Sequence, residues 1–67
     1  MPAWKYKTQH SVRHGKLFFQ VNIPVDTRIE KFEIVVKKHG KTIDRATFWD
    51  SYDTPEDAIT QLLEYHE

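Results

Sequence analysis

The chain has no cysteine, and only two glycines and three prolines among its 67 residues. Without cysteine, neither disulfides nor thiolate metal ligands can hold it together, which suits a reducing compartment. Two glycines are too few for a phosphate-cradling loop of the nucleotide-hydrolase kind. Long apolar runs are missing as well. None approaches the ~20 residues of a transmembrane span, and residues 1–7 lack the apolar stretch of a secretory signal. The expectation is a cytoplasmic protein with no membrane partner. A chain this short buries roughly 60% of its unfolded surface. That predicts one small domain, residues 1–67, with a thin core and no interdomain cleft.

The two glycines that are present sit in matching settings, Arg13-His14-Gly15-Lys16 and Lys38-His39-Gly40-Lys41. Each lies between stretches with the period-two alternation of strands. Trp4, Tyr6 and Thr8 alternate with Lys5, Lys7 and Gln9, giving a first strand over about 4–12 with its lysines turned away from the core. A second strand over about 17–23 sets Leu17, Phe19, Val21 and Ile23 against Phe18, Gln20 and Asn22. Pro24 closes it, having no N–H for a ladder. A third strand over about 30–38 turns Phe32, Ile34 and Val36 inward. In a fourth, over about 41–49, Ala46 and Phe48 share a face with Asp44, and a bulge is needed somewhere to repair the phase. The His-Gly pairs suit two-residue hairpin loops, because glycine supplies positive φ without strain and histidine tolerates it.

The last element reads as a helix over about 55–66. Thr54 is a good N-cap, Pro55 fits the first helical position, and Glu56 and Asp57 sit where the helix dipole favours acids. Ala58, Ile59, Leu62, Leu63 and His66 line one side of it. The predicted fold class is therefore α+β: a four-stranded antiparallel β-meander with one C-terminal amphipathic helix packed on one sheet face (ββββα). The other face is left open, as antiparallel sheets permit.

Formal net charge is zero, but the distribution is lopsided. Residues 1–45 hold all ten Lys and Arg against four acids, a balance of +6, and residues 46–67 hold six acids and no Lys or Arg. In a meander the first and third turns fall at one end, so Arg13, His14, Lys16, Lys38, His39 and Lys41 are expected to form a basic pole facing the helix C-terminus. The open face is expected to present Phe18, Gln20, Lys31, Val35, Lys37, Arg45 and Trp49 to a partner, with Lys5, Lys7 and Asn22 beside them. Aromatic residues among cations suit bases, and equally suit a protein partner. The acidic stretch from Asp50 to Asp57 is accounted for mostly by helix capping.

Catalytic patterns are weak. His10 and His14 are four apart, but in a strand that spacing does not converge ligands as it would on a helix. Ser11 and Ser51 have no nucleophile-elbow setting, and Asp50 and Asp53 have no pocket. No enzyme activity, cofactor or metal is expected. The run from Phe48 through Thr54-Pro55-Glu56-Asp57-Ala58 loosely resembles the arm-binding domains of phage-type integrases. That resemblance covers the final third of the chain and lacks the basic residues those domains place before the helix. The leading expectation is a small non-catalytic protein-binding module, an inhibitor or accessory factor of phage or mobile-element origin, acting through the open face. The alternative is a nucleic-acid binder using the basic hairpin tips and the same face. A homo-oligomer paired along a strand edge is a third partner class, against which Lys5 and Lys7 stand as edge protection.

Overall fold

Four strands, β1 (Tyr6–His14), β2 (Leu17–Pro24), β3 (Lys31–Lys38) and β4 (Lys41–Trp49), are followed by one helix, α1 (Pro55–His66), in a computed structural model that describes residues 5–66. The strands pair antiparallel in the order β1-β2-β3-β4, and the helix packs on one side of the sheet. This is the ββββα meander that the alternation predicts. Every second residue of a strand faces the same way, so β2 and β3 deliver Phe19, Val21, Ile34 and Val36 into full burial. Ala58, Ile59 and Leu62 of α1 close over them. Val12, Ala46 and Phe48 join from the edge strands, and the Phe32 and Phe48 rings stack with centroids 5.6 Å apart.

The helix begins as its sequence requires. The Thr54 hydroxyl accepts the Asp57 N–H at 3.2 Å, satisfying one of the donors left over at a helix start. Twelve residues rise ~18 Å, enough to run back along the sheet. The far end is tied down by His66, whose Nε2 lies 2.9 Å from Asp44 Oδ2 on β4. Leu63 and His66 share a cleft there with His14, Leu17 and Lys38, so the helix C-terminus does reach the hairpin pole.

Two bulges change which residues face the helix. In β1 the register moves from Thr8↔Asn22 to His10↔Val21, leaving Gln9 as the extra residue. Tyr6 and Thr8 therefore lie on the open face, and Lys7, paired with Ile23, lies on the helix side. This corrects the expectation that Tyr6 and Thr8 face the core and Lys7 faces away; Trp4 lies outside the described residues. In β4 the register moves from Val36↔Asp44 to Lys37↔Thr42, leaving Ile43 as the extra residue. Asp44 keeps the helix-side phase of Ala46 and Phe48 and meets His66, while the bulge turns Thr42 to the open face opposite Lys37. Both bulges fall on edge strands, where an interrupted ladder discourages pairing with another chain.

The two glycine turns also differ. His39 and Gly40 form the third-hairpin loop, with φ of +54° and +78°, as a type I′ turn requires. In the first hairpin His14 pairs with Leu17, so the loop is Gly15-Lys16 rather than His14-Gly15. Gly15 has φ +60°, the type II′ arrangement with glycine first. A Cβ added at either glycine meets nothing within 4 Å. Any cost of substitution is then purely that of a left-handed backbone. Gly15→Ala and Gly40→Ala are each expected to lose about 1–2 kcal/mol, with Gly40→Asn losing less. Thermal melts check this, at about 4–8 °C per kcal/mol for a domain of this size. A melt unchanged by Gly40→Ala would contradict the turn assignment.

Candidate functional site

The sheet register sorts the open face into cross-strand rows. Nearest the hairpin pole, Arg13 pairs with Phe18 and Phe18 with Lys37. The next row is Ser11, Gln20, Val35 and Arg45, and the next Thr8, Asn22, Glu33 and Thr47. Lys31 pairs with Trp49 at the opposite end. All seven residues expected to meet a partner thus share the open face, with Asn22 among them, whereas Lys7, expected beside them, lies on the helix side. They are not equally accessible. Val35 is only 4% exposed, so it supports the face from beneath and offers no surface to a partner. Trp49 is 51% exposed, with the Lys31 ammonium 4.4 Å from the ring centroid, a cation–π arrangement.

A polar network fills the middle of the face and crosses all four strands. The Gln20 side-chain amide donates to the Thr8 hydroxyl at 2.8 Å and to Asn22 Oδ1 at 3.2 Å. The Thr8 hydroxyl donates to Asn22 Oδ1 at 3.0 Å, and Asn22 Nδ2 to Glu33 Oε1 at 3.4 Å. Arg45 Nη1 stands 3.8 Å from the same Glu33 oxygen. Asn22 is nearly buried, and this network satisfies it, as a buried amide requires. Glu33 is the lone carboxylate of these rows, and it is committed to Asn22 and Arg45.

At the hairpin pole the face dips into a concavity of about 490 Å³ lined by Arg13, Gly15, Lys16, Phe18, Lys37, His39 and Gly40. No acid lines it, and among the described residues no carboxylate lies within ion-pairing distance of Arg13, Lys16 or Lys37. The expected basic pole is therefore divided by the sheet. Arg13, Lys16 and His39 join Lys37 on the open side. His14 and Lys38 lie on the helix side with Leu63 and His66, and Lys16 reaches both. The His14 ring meets the Phe19 ring edge-on at 5.8 Å. Lys41 pairs with Lys38 and is exposed. Arg28, at the other end of the sheet, is engaged by Asp26 through contacts of 2.9–3.1 Å. The Arg28 side chain, and then its backbone N–H, hold the Asp26 carboxyl below its usual range.

Tyr6 and Thr8 belong to this face without having been expected there, and Glu33, an expected outward residue, takes a role in it that was not foreseen. The bulge at Gln9 hides the first two from simple alternation, and nothing in the local sequence marks it. Glu33 was visible as an outward residue of β3, but its role depends on Asn22 and Arg45 arriving from neighbouring strands. Among the described residues no cluster of three or more His, Cys, Asp or Glu gathers to hold a metal, and no helix is long and apolar enough to cross a membrane. Comparison with known proteins finds no matching family model, no matching curated protein and no matching solved structure.

Burial, and then the negative charge of Glu33, push the Tyr6 phenol above its usual value of 10.0. A raised acid is neutral in the fold where the unfolded chain already ionises. The stabilisation is complete below about pH 10 and is lost as pH rises through the folded value. Urea midpoints are expected to fall more steeply above about pH 10 for the native chain than for Tyr6→Phe. A Tyr6 ring titrating at or below the ordinary tyrosine value would contradict the placement beside Glu33.

Proposed function

We propose that this protein is a non-catalytic binding module of the cytoplasm whose open sheet face takes up nucleic acid. The observation that carries the reading is the separation of charge by face. The open-face rows hold Arg13, Lys31, Lys37 and Arg45 against Glu33 alone, with Lys16 and His39 at the rim. The helix and its lead-in hold Asp50, Asp53, Glu56, Asp57 and Glu64, with no Lys or Arg. Whole-chain neutrality weighs against a polyanion partner when charge is merely counted. It loses that weight at the hairpin pole, where Arg13, Lys16 and Lys37 share a concavity lined by no acid, whereas Lys31 at the far end shares a cleft with Asp26, Asp50 and Asp53; partners respond to the local potential. Among the described residues the aromatic surface of the face is Trp49 with parts of Phe18 and Tyr6, set apart from one another, which suits stacking better than a broad apolar contact.

A second reading rests on Trp49. An exposed tryptophan flanked by Lys31 is the kind of residue that concentrates binding energy at protein interfaces. On that reading the same face grips an acidic protein, and the chain acts as an inhibitor or accessory factor of mobile-element origin. A second copy paired along a strand edge is the least favoured partner, given the bulges at Gln9 and Ile43.

Fluorescence anisotropy with labelled DNA and RNA separates the readings. Binding is expected at about 50 mM salt and to weaken steeply by about 200 mM. Lys37→Gln with Arg45→Gln should weaken it for all sequences and lower the salt slope by about two, with circular dichroism unchanged. Absence of binding to any nucleic acid at about 50 mM salt would remove the first reading. Nuclease-resistant capture of one protein, lost on Trp49→Ala, would establish the second.

A further inference from the structure

We infer that the concavity between the first and third hairpin turns receives one unpaired nucleotide of a single strand, its base against the Phe18 ring and its phosphates against Arg13, Lys16 and Lys37. The inference rests on the nucleic-acid reading above and narrows it to unpaired chains. Its basis is the lining. Phe18 is half-buried and lines the concavity, with Arg13 paired across from it on one strand and Lys37 on the other. An apolar ring flanked by cations that no carboxylate of the described residues pairs with matches the two parts of a nucleotide, a flat π-face and an anionic ester. The volume, about 490 Å³, lies within the range of sites that hold small organic ligands.

The rim favours close approach. Gly15 and Gly40 both line the concavity, and the space where each Cβ would stand is empty. A sugar-phosphate chain can therefore pass beside the backbone of both turns. Lys16 stands in the first loop and His39 in the third, so each turn contributes a basic side chain beside its glycine. The half-buried ring sets the preference for unpaired chain. In a duplex both faces of every base are covered by its neighbours, so a lone aromatic below a rim has nothing to stack on. An unstacked base can enter.

The test uses the full chain and fluorescence anisotropy on a labelled single strand of about 12 nucleotides and the matching duplex. The single strand is expected to bind more tightly. Phe18→Leu, which keeps the apolar volume, should weaken single-strand binding by about fivefold or more and leave the duplex and the salt slope unchanged. Phe18→Tyr should retain single-strand affinity and controls for folding, together with circular dichroism of each variant. Lys16→Gln should weaken both. Equal affinity for single strand and duplex overturns the inference. So does a Phe18→Leu variant with undiminished single-strand affinity. In both cases salt-dependent binding survives and the broader reading stands. Loss of all binding in the native chain overturns the two together.

Discussion

Among the described residues a single twelve-residue helix covers one side of a four-stranded sheet and leaves the other open. This asymmetry governs everything else in the molecule. On the covered side the strands supply Phe19, Val21, Ile34 and Val36, and the helix completes their burial. On the uncovered side the same central strands must meet water, yet a wholly polar surface leaves β-branched residues such as Val35 without shelter. The chain shelters Val35 with long neighbours. Gln20 and Arg45 flank it in its own row, and the Thr8–Gln20–Asn22–Glu33–Arg45 network fixes the adjacent row. Hydrogen-bonded long side chains thus stand in for a second helix. A domain this small has a stability on the order of 3–10 kcal/mol, so leaving the face apolar and bare would invite association rather than folding.

Where alternation was uninterrupted, the sequence was legible. In β2 and β3 no residue is inserted, and every inward and outward assignment follows from parity. The helix was equally clear, since Thr54, Pro55 and the acids after them mark its start by independent physical effects. Legibility failed at the two edge strands, and for one cause. A bulge reverses parity for every residue beyond it, and the bulges at Gln9 and Ile43 occur without glycine or proline to announce them. The error moved Tyr6 and Thr8 to the wrong side, and with them the end of the polar network. For β4 the disturbance was visible as an uneven pattern but could not be located, because both Thr42 and Ile43 suit a strand.

The two readings of the face differ in what they ask of it. A protein interface of ordinary affinity buries about 800 Å² per partner and draws most of its energy from a few desolvated anchors. This face has one well-exposed anchor, Trp49, at one end, and a polar network in its centre that would resist desolvation. A nucleic-acid strand asks less of the centre. Its phosphates remain hydrated, and its affinity comes from counterions released at Lys and Arg. Cations at both ends of the face and an aromatic at each end therefore fit a strand lying across it, with the network left wet beneath.

The basic residues at the hairpin pole illustrate why a cluster in sequence is not a patch in space. Neighbouring strand residues point to opposite faces, so Arg13 and His14 part company, as do Lys37 and Lys38. A dibasic step at the end of a strand always splits its charge between the two sides of a sheet. Turn residues escape this rule, and Lys16 lines clefts on both sides. The two halves then meet different surroundings. On the helix side His14 and Lys38 share their cleft with the last turn of α1, where the helix dipole is negative, and His66 draws Asp44 to the same end. That half of the pole meets the negative end of the helix. On the open side Arg13, Lys16 and Lys37 face a concavity that no carboxylate of the described residues lines, so their charge is left to solvent ions or to a partner as far as those residues go.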